Sequence, residues 1–168
     1  MSWIDSTGTE QTFDYHYPSQ KECVACHQQE EAVAPIGPSM RNLNIDIASA
    51  DLTINQLDHL QATNLMASVD AATVSTIPDY KDETLPLEDR ARAYMDMNCA
   101  HCHNPGGWKE ASNRDFDFRF ETSLSDSHIA EKKDKIKRVL ENGEMPYLGV
   151  TVLHEEGVAL VVEYLDSL

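Results

Sequence analysis

Two short runs in this chain have the residue types and spacing for covalent and metal chemistry: Cys23-Val24-Ala25-Cys26-His27 and Cys99-Ala100-His101-Cys102-His103. In each, two cysteines stand three apart and a histidine follows directly, which is the attachment pattern of covalent haem. The spacing has a mechanical basis. Positions i, i+3 and i+4 of a helical turn share one face, so both sulfurs can reach the vinyl groups of a porphyrin while His27 or His103 reaches its iron. The two runs use all 4 cysteines of the chain, so two covalently bound haem c groups are expected.

Other uses of these residues fit less well. One structural zinc could be held by two Cys-x-x-Cys pairs, but Cys23 and Cys99 are 76 residues apart, and such a site needs no histidine directly after each second cysteine. A disulfide within either pair closes a strained two-residue loop more typical of a redox-active dithiol. His101 falls at a variable position inside its run and is expected to point away from the iron.

The elements that must position these residues read as helices. Ser19, with Glu22 three positions later, forms a capping box opening a helix that carries Cys23, Cys26 and His27. Ile54, Leu57, Leu60 and Leu65 predict a helix over 53–65, started by Asp51 or Thr53 and stopped at Asn64. Residues 67–86, rich in Ser, Thr, Asp and Pro, read as a linker. Leu87, Ala91, Tyr94 and Met95 lie on or near one stripe of a helix over 87–97 leading into the second run, and Asn104-Pro105-Gly106-Gly107 reads as a tight turn. A further helix is expected over 127–142, ended by Gly143, and a last one within 153–168. No alternating run is long enough to argue for a sheet, so the fold class expected is all-α. Residues 1–18 read as a strand or arm lying on the core.

Composition narrows the function. The 168 residues fit two small modules, each near the lower size limit for an independent core, where a haem supplies apolar surface to pack on. The net charge is −16, with 2 basic and 11 acidic side chains in residues 1–80 against 11 and 18 in the remainder. Such a surface repels nucleic acid and anionic membranes and favours a redox protein partner with a basic docking face. Lys132, Lys133, Lys135, Lys137 and Arg138 form a basic cluster near a helix C-terminus. Trp108, Arg114 and Arg119 are candidates to meet haem propionates. No apolar run reaches transmembrane length. Covalent haem attachment takes place outside the cytoplasm, so a periplasmic or other extracytoplasmic location is expected, with a secretion signal preceding this segment in the natural protein.

From Leu87 onward the chain resembles class I cytochrome c: the attachment run, a Gly-terminated helix, then Met145-Pro146, and a last helix with Val158, Leu160, Val161, Tyr164, Leu165 and Leu168. The resemblance implies that His103 and Met145, 42 residues apart, are the two axial ligands of the second haem. Over 18–66 the resemblance rests on the first attachment run and on Gly37-Pro38. It implies that the Pro38 carbonyl orients the His27 ring, with Met40 packing against the haem. Met66, 39 residues after His27, is the expected sixth ligand there, with His59, Met40 and His16 as alternatives. The whole resembles a dihaem c-type cytochrome of two tandem cytochrome c-like modules, 1–80 (with N-terminal arm and linker) and 81–168, the second more typical than the first. An iron closed by histidine and methionine leaves no open position, so one-electron transfer between periplasmic partners is the expected function, free or as a domain of a larger oxidoreductase. A dihaem peroxidase-like enzyme and a haem-based sensor module are the alternatives.

Overall fold

The computed structural model describes residues 1–5, 7–49, 52–108, 115–147 and 152–168. It corrects the all-α expectation, since three small antiparallel hairpins accompany the helices. Strands β1 (Ser2–Ile4) and β2 (Glu10–Thr12) form the first, β3 (Gln28–Gln29) and β4 (Ala32–Val33) the second, and β5 (Asp46–Ser49) and β6 (Leu52–Asn55) the third. Strands of two to four residues are too short to show a period in the sequence. The third hairpin also displaces a helix start: Ile54 pairs with Ile47 and Thr53 with Ala48, so these β-branched residues extend the chain. The helix begins only at α3 (Gln56–Ala62), where the Asn55 side chain accepts the Leu57 N–H at 2.9 Å. Asp51, one of the two expected caps, lies outside the described residues, and Asn64 stops the helix at a φ of 59°.

Helix α1 (Gln20–His27) opens on the expected capping box: Glu22 accepts the Ser19 N–H at 2.7 Å and Ser19 accepts the Glu22 N–H at 3.4 Å. Helix α2 (Met40–Leu43) follows. The stretch read as a linker packs on the first half, where the Asn44 amide donates to the carbonyls of Ala71 and Val74 at 3.1 and 2.7 Å. It also meets α4 (Leu87–Asn98), whose Arg90 donates to the Tyr80 carbonyl at 2.9 Å.

The expected helix over 127–142 is broken. A single turn, α5 (Leu124–Ser127), ends at His128 in the left-handed region (φ 57°), and α6 (Lys133–Glu141) starts afresh. The break lets Ile129 turn fully inward. Gly143 then terminates α6 at a φ of 67°.

The hydrophobic core belongs to the second half. Ala91 and Met95 of α4 meet Leu160, Val161, Tyr164 and Leu165 of α7 (Glu155–Ser167), joined by Ile136 and the loop residues Phe116, Phe118 and Ile129. The α4–α7 crossing is close because Gly157 faces the Tyr94 ring: a Cβ there would overlap Cζ, Oη and Cε2 of Tyr94. Arg92 of α4 is buried and donates to the carbonyls of Arg119 (3.0 Å) and Thr122 (2.6 Å). Among described residues before 81, only Ala25 and Leu57 are buried hydrophobics. That half is fastened to the core by Arg41, which donates to Asp96 of α4 at 2.6 Å and pairs with Glu121.

Candidate haem-binding cleft

Helix α4 delivers the second attachment run to the mouth of an apolar cleft. Its last bond runs from the Cys99 N–H to the Met95 carbonyl at 2.8 Å, and one further turn is closed by the His103 N–H on the Cys99 carbonyl at 3.0 Å. That i to i+4 bond sets Cys99, Cys102 and His103 on one face, the arrangement expected from their spacing. The following turn is locked by buried Asn104, which donates to the Ala100 carbonyl at 2.7 Å and accepts the Gly106 N–H at 2.8 Å. Gly107 is required here, because a Cβ would overlap the Cys102 carbonyl oxygen.

The cleft holds about 1160 Å³ of space, its solvent-open side included. Cys99, Cys102 and His103 line it together with Met145, Pro146 and Tyr147. Ile136, Val139 and Leu140 of α6 and Val158 and Val161 of α7 supply apolar walls. Two phenylalanines, 5.1 Å apart, pack together against the proximal ring: the centroids of Phe116 and Phe118 lie 5.8 and 5.0 Å from that of His103. Trp108 also lines the cleft and stacks on Tyr147 with 5.9 Å between centroids. Burial pushes the Cys99 thiol up to about 12. Burial, with the nearby Cys26, does the same to Cys102. These are enclosed, protonated thiols at neutral pH. All 4 cysteines are free thiols, so neither run closes a disulfide.

Around the first run the picture is sparser. Cys23 is exposed, whereas Ala25 and Cys26 reach the same cleft as the second run. The His27 Nδ1 donates to the Ala34 carbonyl at 3.0 Å, which leaves Nε2 as the nitrogen available to a metal. Ala34 thus holds the place that the resemblance gave to Pro38, and Pro38 is exposed. The candidate sixth ligands stand apart from the cleft: Met66 is half-buried, Met40 and His59 are exposed, and the exposed His16 ring bonds Glu22 at 2.9 Å. A Cys26 sulfur, a Cys102 sulfur and a His101 ring nitrogen lie within 4.8 Å of one another. Burial, with His27 nearby, pushes the His101 imidazole below its ordinary value.

Of the candidate propionate partners, Arg114 is outside the described residues and Arg119 is engaged by Asp117 at 2.6 Å. In the basic cluster, Lys132 faces Asp115 at 3.7 Å, Lys137 pairs with Asp166 at 2.6 Å and Arg138 with Glu144 at 2.9 Å, while Lys135 lines the cleft.

This donor set fits a tethered porphyrin: two thiols and an imidazole on one turn, a thioether at the same cleft, apolar walls between. Residues 86–165 match the family model of cytochrome c oxidase, cbb3-type, subunit III. This stretch is similar to a c-type cytochrome domain. No curated protein and no solved structure matches the chain. The cytochrome domain implies covalently bound haem c and electron transfer, and it begins after the first Cys-x-x-Cys-His run. Among the described residues no helix is long and apolar enough to cross a membrane.

Several residues of the cytochrome domain's cleft escaped the sequence reading. Phe116 and Phe118 alternate about Asp117, a two-residue period too brief to notice. Tyr147 follows the Met-Pro pair directly. The presence of Ala25 and Cys26 in the cleft left no sequence signal, because it depends on how two segments far apart in the chain come together.

Proposed function

We propose that the chain is a dihaem c-type cytochrome that passes single electrons between extracytoplasmic redox proteins, free or as a domain of a larger oxidoreductase. The observation that carries this reading is the convergence of His103 and Met145 on the one apolar cleft that also receives Cys99 and Cys102. Cys99 and Cys102 would tether one haem, with His103 and Met145 as its axial ligands. When bound there, haem supplies one-electron chemistry, and a thioether ligand raises its potential above that of a bis-histidine iron. The chain's own part is to present His103 and Met145 to the cleft, to pack the His103 ring against the Phe116–Phe118 pair, and to exclude water with the side chains of α6 and α7.

Cys23, Cys26 and His27 would hold the second haem, with the Ala34 carbonyl fixing the ring of His27. Met66 is the sixth ligand assigned there, ahead of His59, Met40 and His16. The modules divide as 1–80 and 81–168. The net charge of −16 supports partners with a basic docking face, met in small and short-lived contacts.

Denatured mass measurement together with optical and paramagnetic resonance spectra tests the reading. The expected result is two haems per polypeptide and a low-spin, methionine-ligated iron. Bare polypeptide, or zinc in place of iron, refutes it.

A further inference from the structure

The two attachment runs meet. The Cys102 thiol donates to the Ala25 carbonyl at 3.3 Å, and the sulfurs of Cys26 and Cys102 lie within 4.8 Å of each other and of a His101 ring nitrogen. The segments just after each run touch as well: the Glu30 N–H donates to the Gly106 carbonyl, and the Gln29 side chain crowds Gly106. A third fastening is Arg41 on Asp96. The contact is therefore anchored on both sides, and it places the second cysteine of one run against the second cysteine of the other.

We propose that Cys26, His101 and Cys102 form a junction that holds the two haems against each other at their attachment edges, making them one coupled redox pair. The inference rests on the two-haem reading above. A thioether sulfur is bonded to a carbon on the porphyrin periphery, so adjacent attachment sulfurs bring two porphyrin edges together whatever the tilt of either ring. The junction is half-buried: Cys26, His101 and Cys102 are partly exposed, while Ala25 and Ala100 beside them are buried and the His101 Nδ1 is buried without a hydrogen-bond partner among the described residues. Charges brought this close across a half-buried contact are screened less than exposed ones, so the charge on one iron shifts the potential of the other. One electron passes from ferrous to ferric iron within the pair, with no bond broken and no proton moved. External one-electron protein partners load and unload it.

The test uses the haem-loaded full chain. Denatured mass first counts the haems; fewer than two overturns the two-haem reading and the junction with it. With two present, the fully ferric protein is expected to give broadened, fast-relaxing resonance signals. The signal of the remaining ferric iron should sharpen at half-reduction, where a low-spin ferrous neighbour is diamagnetic. The Cys23→Ser/Cys26→Ser double variant should show the sharp signal throughout and a shifted midpoint for the remaining haem. Half-reduction supplies the same control within the native protein if that variant does not fold. Linewidth and relaxation unchanged on half-reduction, with two haems counted, overturn the junction and leave the two-haem reading standing.

Discussion

The crossing of α4 and α7 rests on one missing methyl group, and replacing Gly157 with alanine probes it directly. A Cβ at this position overlaps three atoms of the Tyr94 ring. The ring has little room to move aside: its hydroxyl bonds His154 Nδ1 at 3.1 Å, and its centroid lies 5.3 Å from that of Tyr80 at 69°. Relieving the overlap means shifting α7 away from α4, and overpacking of this kind costs about 1–3 kcal/mol. Alanine returns about 1 kcal/mol through its better helix propensity. The balance is a loss of about 1 kcal/mol, reaching about 2 kcal/mol where the helices cannot relax. Each kcal/mol lowers the melting temperature by roughly 2–4 °C for a chain of this size. Thermal and urea unfolding of the haem-loaded protein measure it. Replacing Tyr94 with leucine supplies the decisive comparison: in that background Gly157→Ala should become neutral or stabilising, because the steric conflict is gone and the propensity gain remains. An alanine variant as stable as the parent in the Tyr94 background would refute the close-crossing argument.

Met145→His should keep the cytochrome domain's haem and lower its potential; an unchanged midpoint in spectroelectrochemistry would remove Met145 as the ligand. Met66→Ala should turn the first haem high-spin or water-ligated, and an unaltered spectrum would move the assignment to His59, Met40 or His16. Cys99→Ser/Cys102→Ser should remove one covalent haem by mass and destabilise the second half, because the walls of its cleft would enclose no porphyrin. The Glu22 carboxyl is lowered from 4.5 to about 2, chiefly by the Ser19 backbone N–H, with the Ser19 hydroxyl and the His16 ring adding to it. A depressed folded value means that the contribution is complete above pH 4.5 and is lost as pH falls toward 2. Glu22→Gln should accordingly flatten the loss of α1 stability over that interval, measured by amide exchange; identical acid profiles would refute the capping role.

The second half was legible in the sequence because its signals are local and repeated. The stripe on α4, the attachment spacing, the glycine stop at 143 and the apolar spacing of α7 each survive in the structure. The capping box at Ser19 and the stop at Asn64 were readable for the same reason: a few adjacent residues determine them. The hairpins were not, since a four-residue strand such as β6 shares its apolar positions with a helix start and only the pairing of Ile54 with Ile47 decides between them. The break at His128 was hidden by a run of good helix formers on its far side. Cys99, Cys102, His103 and Met145, singled out by spacing and resemblance, line one cleft in the structure. The substitution of the Ala34 carbonyl for that of Pro38 depends on the β3–β4 turn, which no local pattern announced.

The uneven distribution of buried apolar side chains has a consequence for how the molecule comes apart. With Ala25 and Leu57 as the buried hydrophobics among its described residues, and with the Arg41 clamp on Asp96 and Glu121, the first half is a lobe secured largely by polar fastenings to a neighbour that carries the oily interior. Acid and salt loosen ion pairs long before they disperse an apolar core. A protease or a deuterium pulse applied under mild stress should therefore find the N-terminal lobe already peeled away while Tyr164 and Leu165 remain sealed.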